Sequence, residues 1–230
     1  MTQPRDAGSD QPRGRLWLAD LLWRLGCVQF GDFSLGRTVR NSPIYINPKL
    51  IVSQPEALAR VGELMDDELQ LAMSMRNPHV ERFDLIAGVP IGGLHIATAL
   101  SLQMRVPLIY ARPRAPGDEP GRRPQIEGSY RPGQTTLIVD DLAAGGGSLV
   151  EAVESLRSAG LRVRDAAVLI DREQGATRRL EPLGVRLHPT LTLDVLLTFL
   201  HGEQRIDPDD YRASMAYLHR EGEPRSEFDQ

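Results

Sequence analysis

From residue 84 onwards, short apolar runs alternate with amphipathic segments, and this alternation constrains the fold more than any other feature of the sequence. Brief apolar runs are typical of strands buried on both faces, whereas the longer segments have helical spacing. Strands are predicted at 84–89, 107–110, 135–139, 163–170 and 185–188, and helices at 94–104, 148–159, 173–183, from 193 and at 208–219. Repeated strand–helix units imply a parallel sheet with helices on both faces, so we expect an α/β fold.

The chain before residue 84 has a different pattern. Apolar residues recur at helical spacing over 16–25 and 54–75, which predicts two helices. Between them, residues 30–47 contain strand-like pieces interrupted by glycine and proline. We therefore expect a small N-terminal unit in front of the sheet.

Composition and charge are those of an ordinary globular chain. Hydrophobic residues make up 41% and charged residues 25% of the sequence, which excludes wholesale disorder. We expect one domain over 15–220 with polar tails at 1–14 and 221–230. The net charge of −4 gives no sign of nonspecific binding to nucleic acid or to membranes. Because Cys27 is the only cysteine and residues 1–14 contain no apolar leader, we predict a buried structural thiol and a cytoplasmic location.

The strongest local signal is the segment 137–148, in which an apolar strand ends in Asp140 and Asp141 and a glycine turn leads into a helix. In an open parallel sheet, ligands bind beyond the carboxyl ends of the strands, where this turn must lie. The glycines at 145–147 let backbone N–H groups approach an anion, and the start of the helix adds a favourable dipole. The turn is therefore a candidate phosphate cradle.

The two carboxylates of this segment would repel a phosphate, but they suit the hydroxyls of a vicinal diol. A phosphate and a diol side by side describe a ribose 5-phosphate. The spacing matches neither of the better-known nucleotide loops, G-x-x-x-x-G-K-[ST] and G-x-G-x-x-G. The alternative is a simple glycine turn, with Ser148 as the helix N-cap and solvated acids.

Segment 137–148 resembles the phosphoribosyl diphosphate motif of type I phosphoribosyltransferases, and the wider chain is similar to the orotate branch of that family. Two stretches are specific to this branch, Ser42-Pro-Ile-Tyr-Ile-Asn47 and Asp171-Arg-Glu-Gln-Gly175. Further similar stretches are Phe30-Gly-Asp-Phe33, Ile51-Val-Ser53, Phe83-Asp84, Gly88-Val-Pro90, Ile126-Glu-Gly128 and Gly184-Val-Arg-Leu-His188. The resemblance implies the type I phosphoribosyltransferase fold, a parallel sheet flanked by helices with a small N-terminal hood.

The resemblance implies an enzyme that transfers ribose 5-phosphate from phosphoribosyl diphosphate to N1 of orotate, giving orotidine 5′-monophosphate and pyrophosphate in pyrimidine synthesis. It also implies a homodimer, and Mg²⁺ as a cofactor that binds phosphate and hydroxyl oxygens and waters rather than a protein cage. The histidines show no metal-ligand spacing, and we expect them to be structural or solvated. They are at positions 79, 95, 188, 201 and 219.

The same resemblance implies roles for individual residues. Asp140 and Asp141 would hold the ribose hydroxyls, and Arg172 would bind the orotate carboxylate through a bidentate guanidinium fork. Residues implied to wrap the 5-phosphate are Ala144, Gly145, Gly146, Gly147 and Ser148, those implied on the pyrophosphate side are Gly92, Gly93 and Arg112, and Tyr45 is implied beside the base. Without the surrounding motif, Arg172 would be a surface residue that caps the next helix or pairs with Glu173, and Tyr45 a core aromatic.

The chain departs from the family most clearly in the flexible catalytic loop. The family's loop carries lysines and a histidine, whereas residues 112–123 have neither. The cations that could act in their place are Arg114, Arg122 and Arg123. Of 27 basic side chains only Lys49 is a lysine, so the change could also reflect a chain-wide bias towards arginine. Loss of the loop lysine is expected to lower turnover more than substrate binding.

Two smaller departures concern phosphate binding. Ala144 and Gly145 stand where the family has threonines, and a hydrogen bond to a charged group is worth roughly 1.5–3 kcal/mol. The Lys-Ser-Gly expected after Phe33 is also missing, where Arg37 or Arg40 could substitute. Weaker phosphate affinity is expected, although the backbone amides remain.

Two main functions follow from these observations. The first is an active orotate phosphoribosyltransferase, which the retained Asp140–Asp141 pair and Arg172 favour. The second is a catalytically silent relative that binds phosphoribosyl diphosphate or a nucleotide as a regulator or partner subunit, which the altered loop favours. A phosphoribosyltransferase acting on another base is a third possibility. The sequence alone leaves these open.

Overall fold

The computed structural model describes residues 14–35, 39–113 and 125–222 of the chain. Its N-terminal part consists of helix α1 (Arg15–Arg24), strands β1 (Val28–Leu35) and β2 (Val39–Ile46), a 3-10 helix (Pro48–Ser53) and helix α2 (Pro55–Ser74). Both predicted helices and the strand-like character of the segment between them are confirmed. The glycine and proline interruptions do not end the strands, because the pairing shifts register instead.

Strands β1 and β2 form an antiparallel hairpin in which Val28 lies opposite Ile46. We refer to this hairpin, residues 28–35 and 39–46, as the hood. Phe33 and Tyr45 lie on it with their ring centroids 5.5 Å apart. The small N-terminal unit predicted from the sequence is therefore a two-stranded sheet, separate from the main sheet.

The main sheet has six strands in the order β5-β4-β3-β6-β7-β8. They are β3 (Leu85–Gly88), β4 (Leu108–Ala111), β5 (Ile126–Glu127), β6 (Thr135–Ala143), β7 (Arg162–Asp171) and β8 (Arg186–Thr192). All neighbours are parallel except β4 and β5, which pair antiparallel at one edge. The predicted parallel sheet is confirmed. Strand β5 is an addition that the sequence pattern missed, since two residues carry no periodicity.

The remaining helices connect or follow the strands of the main sheet. They are α3 (Gly92–Met104), α4 (Gly147–Ser158), α5 (Ala176–Leu180) with a 3-10 turn after it (Glu181–Leu183), α6 (Leu193–Gly202) and α7 (Pro208–Gly222). Each was predicted, although the helix predicted at 173–183 is observed as the shorter α5 followed by a separate 3-10 turn. Within the described ranges, no helix is long and apolar enough to cross a membrane.

Helices cover both faces of the main sheet, as the strand–helix alternation predicted. One buried apolar cluster joins the sheet to the N-terminal and C-terminal helices and includes Leu18, Leu22, Val61, Ile86, Ile96, Leu100, Leu137, Leu169 and Leu196. The other joins the opposite face to α4 and α5 and includes Leu85, Ala87, Ile138, Val153, Val168 and Leu180. Successive strand residues belong to different clusters because side chains alternate across a strand. The sheet is therefore buried on both sides.

Strand β6 differs from its prediction in a way that matters for the site. It continues to Ala143 instead of ending at Val139, and residues of its last part pair with β7. Asp140 and Asp141 are therefore part of the strand and do not follow it. Ladder hydrogen bonds position their backbone, which leaves less conformational freedom than a loop would.

Several predicted features fall on parts of the chain that the structure does not describe. Arg114, Arg122 and Arg123 of the predicted loop lie outside the described residues, as do Arg37 and most of both predicted tails. Helix α7 continues to Gly222, beyond the predicted end at 219.

The packing of α2 against α3 depends on a glycine. A Cβ atom at Gly62 would lie 2.9 Å from the backbone carbonyl carbon and oxygen of Ala99. We expect Gly62→Ala to lower the free energy of unfolding by about 1–3 kcal/mol in urea denaturation, although alanine favours helix, because the two backbones must move apart. In the control Gly202→Ala the new Cβ meets no atom within 4 Å, and stability should stay within about 0.5 kcal/mol of the parent. Equal stability of the two variants would contradict this packing constraint.

Candidate functional site

Two buried carboxylates at the end of β6 form the floor of the site. Asp140 and Asp141 are 6% and 7% exposed. Asp140 Oδ1 accepts a hydrogen bond of 2.8 Å from the backbone N–H of Asp141. Asp141 Oδ2 lies 3.5 Å from Lys49 Nζ but has no hydrogen-bond partner. We treat this contact as a loose ion pair, because its length is at the limit for a hydrogen bond.

The electrostatics of the pair favour hydroxyl ligands over anions. Burial is the main cause that raises the pKa of Asp140 well above its ordinary value. The neighbouring charge of Asp141 and a hydrogen bond with its side chain raise it further. The backbone N–H of Asp141 and the ammonium group of Lys49 oppose this shift. Two buried acids side by side would repel a phosphate but can accept hydrogen bonds from a diol. This agrees with the role predicted from the sequence, which remains untested.

The turn between β3 and α3 lies directly against the acid pair. A Cβ atom at Gly92 would lie 2.2 Å from Asp141 Oδ2, and one at Gly93 would lie 2.7 Å from Asp140 Oδ1. Any side chain at either position would displace a carboxylate. The two glycines are therefore required for close approach, in addition to any use of their backbone amides. The Pro90–Ile91 peptide bond in this turn is cis.

The turn between β6 and α4 has the form of an anion cradle. Gly146 is the N-cap of α4 with φ 76°, a conformation that favours glycine, and the cap makes no side-chain hydrogen bond. A Cβ there would lie 2.9 Å from Ala176 Cα. Helix α4 begins at Gly147, so Ser148 lies inside the helix and the alternative in which it is the N-cap is wrong. The backbone amides of the first turn therefore have no side-chain cap.

Arg172 follows β7 directly and is 2% exposed. Its Nη2 donates to Ser42 Oγ at 3.0 Å and to the Ile44 carbonyl at 3.4 Å, both on the hood, while its buried Nε has no partner. Burial lowers the pKa of Arg172 from its ordinary value, and Tyr217 partly opposes this. The alternative of a surface arginine paired with Glu173 is wrong. Glu173 Oε2 instead accepts from the backbone N–H of Asp194 at 3.0 Å.

These elements surround a cavity of about 320 Å³. It is lined by Tyr45, Ile46, Pro48, Lys49, Val89, Pro90, Ile91, Gly92, Asp140, Asp141, Leu142, Ala144, Ser148 and Arg172. The structure thus brings together seven residues predicted from the sequence: Tyr45, Gly92, Asp140, Asp141, Ala144, Ser148 and Arg172. Gly93, Gly145 and Gly147 are next to lining residues in the chain but do not line this cavity, and Gly146 lies between two of them and does not line it either.

Arg112 does not line this cavity. Its Nε lies 2.7 Å from Glu127 Oε1, and its side chain lines a second cavity, of about 570 Å³, beside α4. The two cavities share Val89, Pro90 and Ser148. The predicted contact of Arg112 with pyrophosphate would therefore be made from this second cavity.

Lys49 is a charged residue that lines the cavity but was not predicted as a site residue from the sequence. It lies in the 3-10 helix that follows the hood. The available signal was its identity, a single lysine among 27 basic residues, two positions after the orotate-branch stretch 42–47. Its distance to Asp141 could not be read from the sequence, because it depends on how the hood packs on the sheet.

Two of the histidines make contacts of the structural kind that the sequence predicted. His188 Nε2 lies 2.8 Å from Asp165 Oδ1, and His201 stacks on Tyr211 with ring centroids 4.2 Å apart. Burial tends to raise the pKa of Asp165, but hydrogen bonds from His188, the Glu81 N–H and Arg186 hold it below its ordinary value. Asp165 pairs with Arg186 of β8, near the amino ends of these strands. This network is therefore separate from the cavity.

A phosphoribosyl transferase domain model matches residues 51–183, which include the acid pair, both glycine turns and Arg172. The chain is also 42% identical over 164 residues to an orotate phosphoribosyltransferase from Cenarchaeum symbiosum, covering 71% of this chain and 78% of the relative. The chain belongs to the orotate phosphoribosyltransferase family. The resemblance stated from the sequence is therefore confirmed.

Solved structures support the same family assignment. An orotate phosphoribosyltransferase from Aeropyrum pernix has 33% identity and a TM-score of 0.67, with 83% of this chain and 99% of that chain covered. Leishmania donovani UMP synthase has 36% identity and a TM-score of 0.77, with 89% of this chain covered. This chain spans 42% of the length of that synthase. The type I phosphoribosyltransferase fold is thereby confirmed.

Asp171, beside Arg172, gives this phosphoribosyltransferase a pH-dependent stability. Burial is the main cause that raises the pKa of Asp171 to about 6, above the ordinary 3.8. A hydrogen bond from the Glu173 backbone N–H lowers this pKa, and the charge of Glu173 raises it. The folded state therefore holds this proton more tightly than the unfolded state. Stability from the carboxyl group is present at low pH and is lost as pH rises between these two values.

We expect Asp171→Asn to remove this loss, because the amide oxygen can still accept from Glu173. Relative to the parent, the variant should gain about 1–2 kcal/mol in free energy of unfolding above about pH 6 and gain least near about pH 4. Urea denaturation across this range measures the difference, with the exposed Asp67→Asn as control. A gain that does not change with pH would contradict the raised pKa.

Proposed function

We propose that this chain is an orotate phosphoribosyltransferase that transfers ribose 5-phosphate from phosphoribosyl diphosphate to N1 of orotate and releases pyrophosphate. The observation that carries the proposal is a buried arginine with an unpartnered Nε, in the same cavity as a buried pair of carboxylates. A buried polar group without a partner is costly, so such a group marks a place for a ligand. The family membership supports the same activity.

The donor sugar fits the β6 side of the cavity. Asp140 and Asp141 would accept hydrogen bonds from the two ribose hydroxyls. The 5-phosphate would lie in the turn 144–148, against the uncapped amides at the start of α4, whose dipole favours an anion. These backbone donors remain although Ala144 and Gly145 replace the family's threonines. A phosphate site of reduced affinity, rather than no site, is the expected consequence.

The acceptor base fits the hood side of the cavity. Nη2 of Arg172 is held by Ser42 and Ile44, and its free Nε would donate to the carboxylate of orotate. Tyr45 lines the same cavity and would pack against the pyrimidine ring. Because the hood orients the guanidinium group before the ligand arrives, the base would be positioned with little loss of side-chain entropy.

In the transfer, the bond between C1 and the diphosphate oxygen breaks and its electron pair leaves with pyrophosphate, while N1 of orotate bonds to C1 and releases its proton to water or to a pyrophosphate oxygen. The ribose passes through a cationic, oxocarbenium-like state. The chain's contribution is to hold N1 and C1 in line and to place negative carboxylates under a sugar that gains positive charge. No side chain has to form a covalent bond.

Mg²⁺ fits this site as an ion that accompanies the diphosphate. No group of three or more His, Cys, Asp or Glu side chains within 14–35, 39–113 and 125–222 could hold a metal ion. Asp140 and Asp141 would hold such an ion through the ribose hydroxyls or its waters. When bound, the ion supplies positive charge that stabilises the departing pyrophosphate. A homodimer and a cytoplasmic location remain predictions from the sequence.

An assay of orotate absorbance tests the proposal against a catalytically silent relative. With Mg²⁺ and phosphoribosyl diphosphate, the parent protein should consume orotate and form orotidine 5′-monophosphate, at a low turnover because the loop 112–123 has no lysine. Asp141→Asn should weaken the binding of phosphoribosyl diphosphate by about tenfold or more, through loss of a charged hydrogen-bond acceptor. Measurable binding of phosphoribosyl diphosphate without turnover on any base would support the silent relative instead.

Arg172 gives a second, residue-level test. We expect Arg172→Ala to raise KM for orotate by about 10–100-fold, and KM for phosphoribosyl diphosphate by no more than about threefold, because only the carboxylate contact is lost. Arg164→Ala is the control, since this exposed arginine lies near the other end of β7. Arg172→Lys, which keeps the buried charge, covers the case in which the alanine variant does not fold. An unchanged KM for orotate in either folded variant would show that the base binds elsewhere.

A further inference from the structure

The chain's only lysine is placed in the cavity. Lys49 follows the hood in the 3-10 helix Pro48–Ser53, and its side chain is 60% exposed. Its Nζ lies 3.5 Å from Asp141 Oδ2, too loosely for a hydrogen bond. A long, exposed side chain whose charge reaches a buried carboxylate can redirect that charge without breaking a hydrogen bond.

Lys49 and Arg172 are the two cationic side chains among the described residues that line the cavity. They differ in burial and in hydrogen bonding. Arg172 is buried and held by the hood, whereas Lys49 has a solvent-exposed stem and no hydrogen bond that restrains it. Of these two side chains, Lys49 is the one that can follow a charge that enters on one substrate and leaves on a product.

The turn 90–92 lies on the same side of the cavity as Lys49, and we place the diphosphate there. Pro90, Ile91 and Gly92 line the same cavity as Lys49 and Asp141, and the close approach of Gly92 keeps this turn within contact of the acid pair. A diphosphate attached to a ribose whose hydroxyls reach Asp141 must lie beside this turn. Buried acids would repel it, so a cation nearby stabilises it in addition to Mg²⁺.

Resting on the proposed function, we propose that Lys49 binds the diphosphate of phosphoribosyl diphosphate and of the released pyrophosphate, and that it leaves Asp141 to the ribose hydroxyls when substrate arrives. The exchange replaces one ion pair with a stronger one. It also frees the carboxylate of Asp141 to accept hydrogen bonds from the ribose hydroxyls when the sugar binds.

The chemistry of the transfer fits a lysine in this position. As the C1–O bond breaks, the electron pair moves onto the pyrophosphate oxygen, where an ammonium group close by lowers the energy of the developing charge. Lys49 transfers no proton in this step. A compact charge with three rotatable donors can track an oxygen that moves away from C1, which a planar guanidinium fork does less well. In this role Lys49 supplies the ammonium charge that the loop 112–123, which has no lysine, does not supply.

A single lysine permits a direct test that does not depend on turnover. Reductive methylation with ¹³C-formaldehyde labels Lys49 and the amino terminus only, and keeps their positive charge. Lys49→Arg assigns the Lys49 resonance by its absence. In titrations with Mg²⁺ present, pyrophosphate and phosphoribosyl diphosphate should each move this resonance saturably, whereas orotate alone should not. A Lys49 resonance that neither phosphate compound moves would overturn the proposal.

A control lysine separates local contact from a general effect of salt or charge. Arg131→Lys adds a labelled lysine at an exposed position before β6, at the opposite end of that strand from the acid pair. Its resonance should stay in place when pyrophosphate is added. Equal movement of both lysine resonances would mean nonspecific binding and would also overturn the proposal.

Unlabelled variants give an independent measure by calorimetry. Lys49→Gln should weaken pyrophosphate binding by about tenfold or more, whereas Lys49→Arg should stay within about threefold of the parent and orotate affinity should not change. A purely structural role would lower the affinities for pyrophosphate and orotate together, and that result would refute the proposal. If the parent fails to consume orotate but its Lys49 resonance still responds to pyrophosphate, the proposed function fails while this inference stands.

Discussion

The parallel pairing of β3 with β6 is the constraint on which the site depends. Gly88, the last residue of β3, lies opposite Val139, so the turn that follows β3 meets the last part of β6, where Asp140 and Asp141 lie. Their contact is so close that only glycine fits at 92 and 93 against the acid pair. Hydrogen-bond ladders hold Asp140 and Asp141 in β6 and so position the backbone of both buried acids. The cavity is a consequence of this register.

Desolvation is the common energetic feature of the ionisable groups around the cavity. Burial raises the pKa of Asp140 and Asp171 and lowers the pKa of Arg172, so in each case it disfavours the charged form. A protein selected only for stability would replace such buried groups with apolar side chains, or would satisfy all of their hydrogen bonds. Here the pairing is incomplete, because Asp141 Oδ2 and Arg172 Nε lack hydrogen-bond partners. The stability that is forgone becomes available when a ligand supplies the missing partners.

The sequence predicted most of the fold, because alternating apolar runs and helical spacing are local signals that the sheet preserves. It misjudged the end of β6, since acids at 140 and 141 resemble a strand terminus until the pairing with β7 is known. It also left open whether Arg172 is exposed. The partner that buries it, Ser42, is 130 residues away in the chain, and no periodicity reports such a contact. The position of Lys49 depended on the same long-range packing. Motif spacing therefore identified the chemistry, while tertiary contacts decided which side chains share the cavity.

The hood links the two halves of the cavity through one strand. Ser42 and Ile44 on β2 hold Arg172 on the side assigned to the base, and the chain that leaves β2 carries Lys49 to the side assigned to the diphosphate. Arg172 is thus held by hydrogen bonds and Lys49 is exposed, although the positions of both depend on the same hairpin. This division suits a transfer reaction, in which the base must be held in line while the leaving group departs. In the proposed site the hood therefore serves both halves of the cavity, and a change that shifts β2 should disturb binding on both sides together.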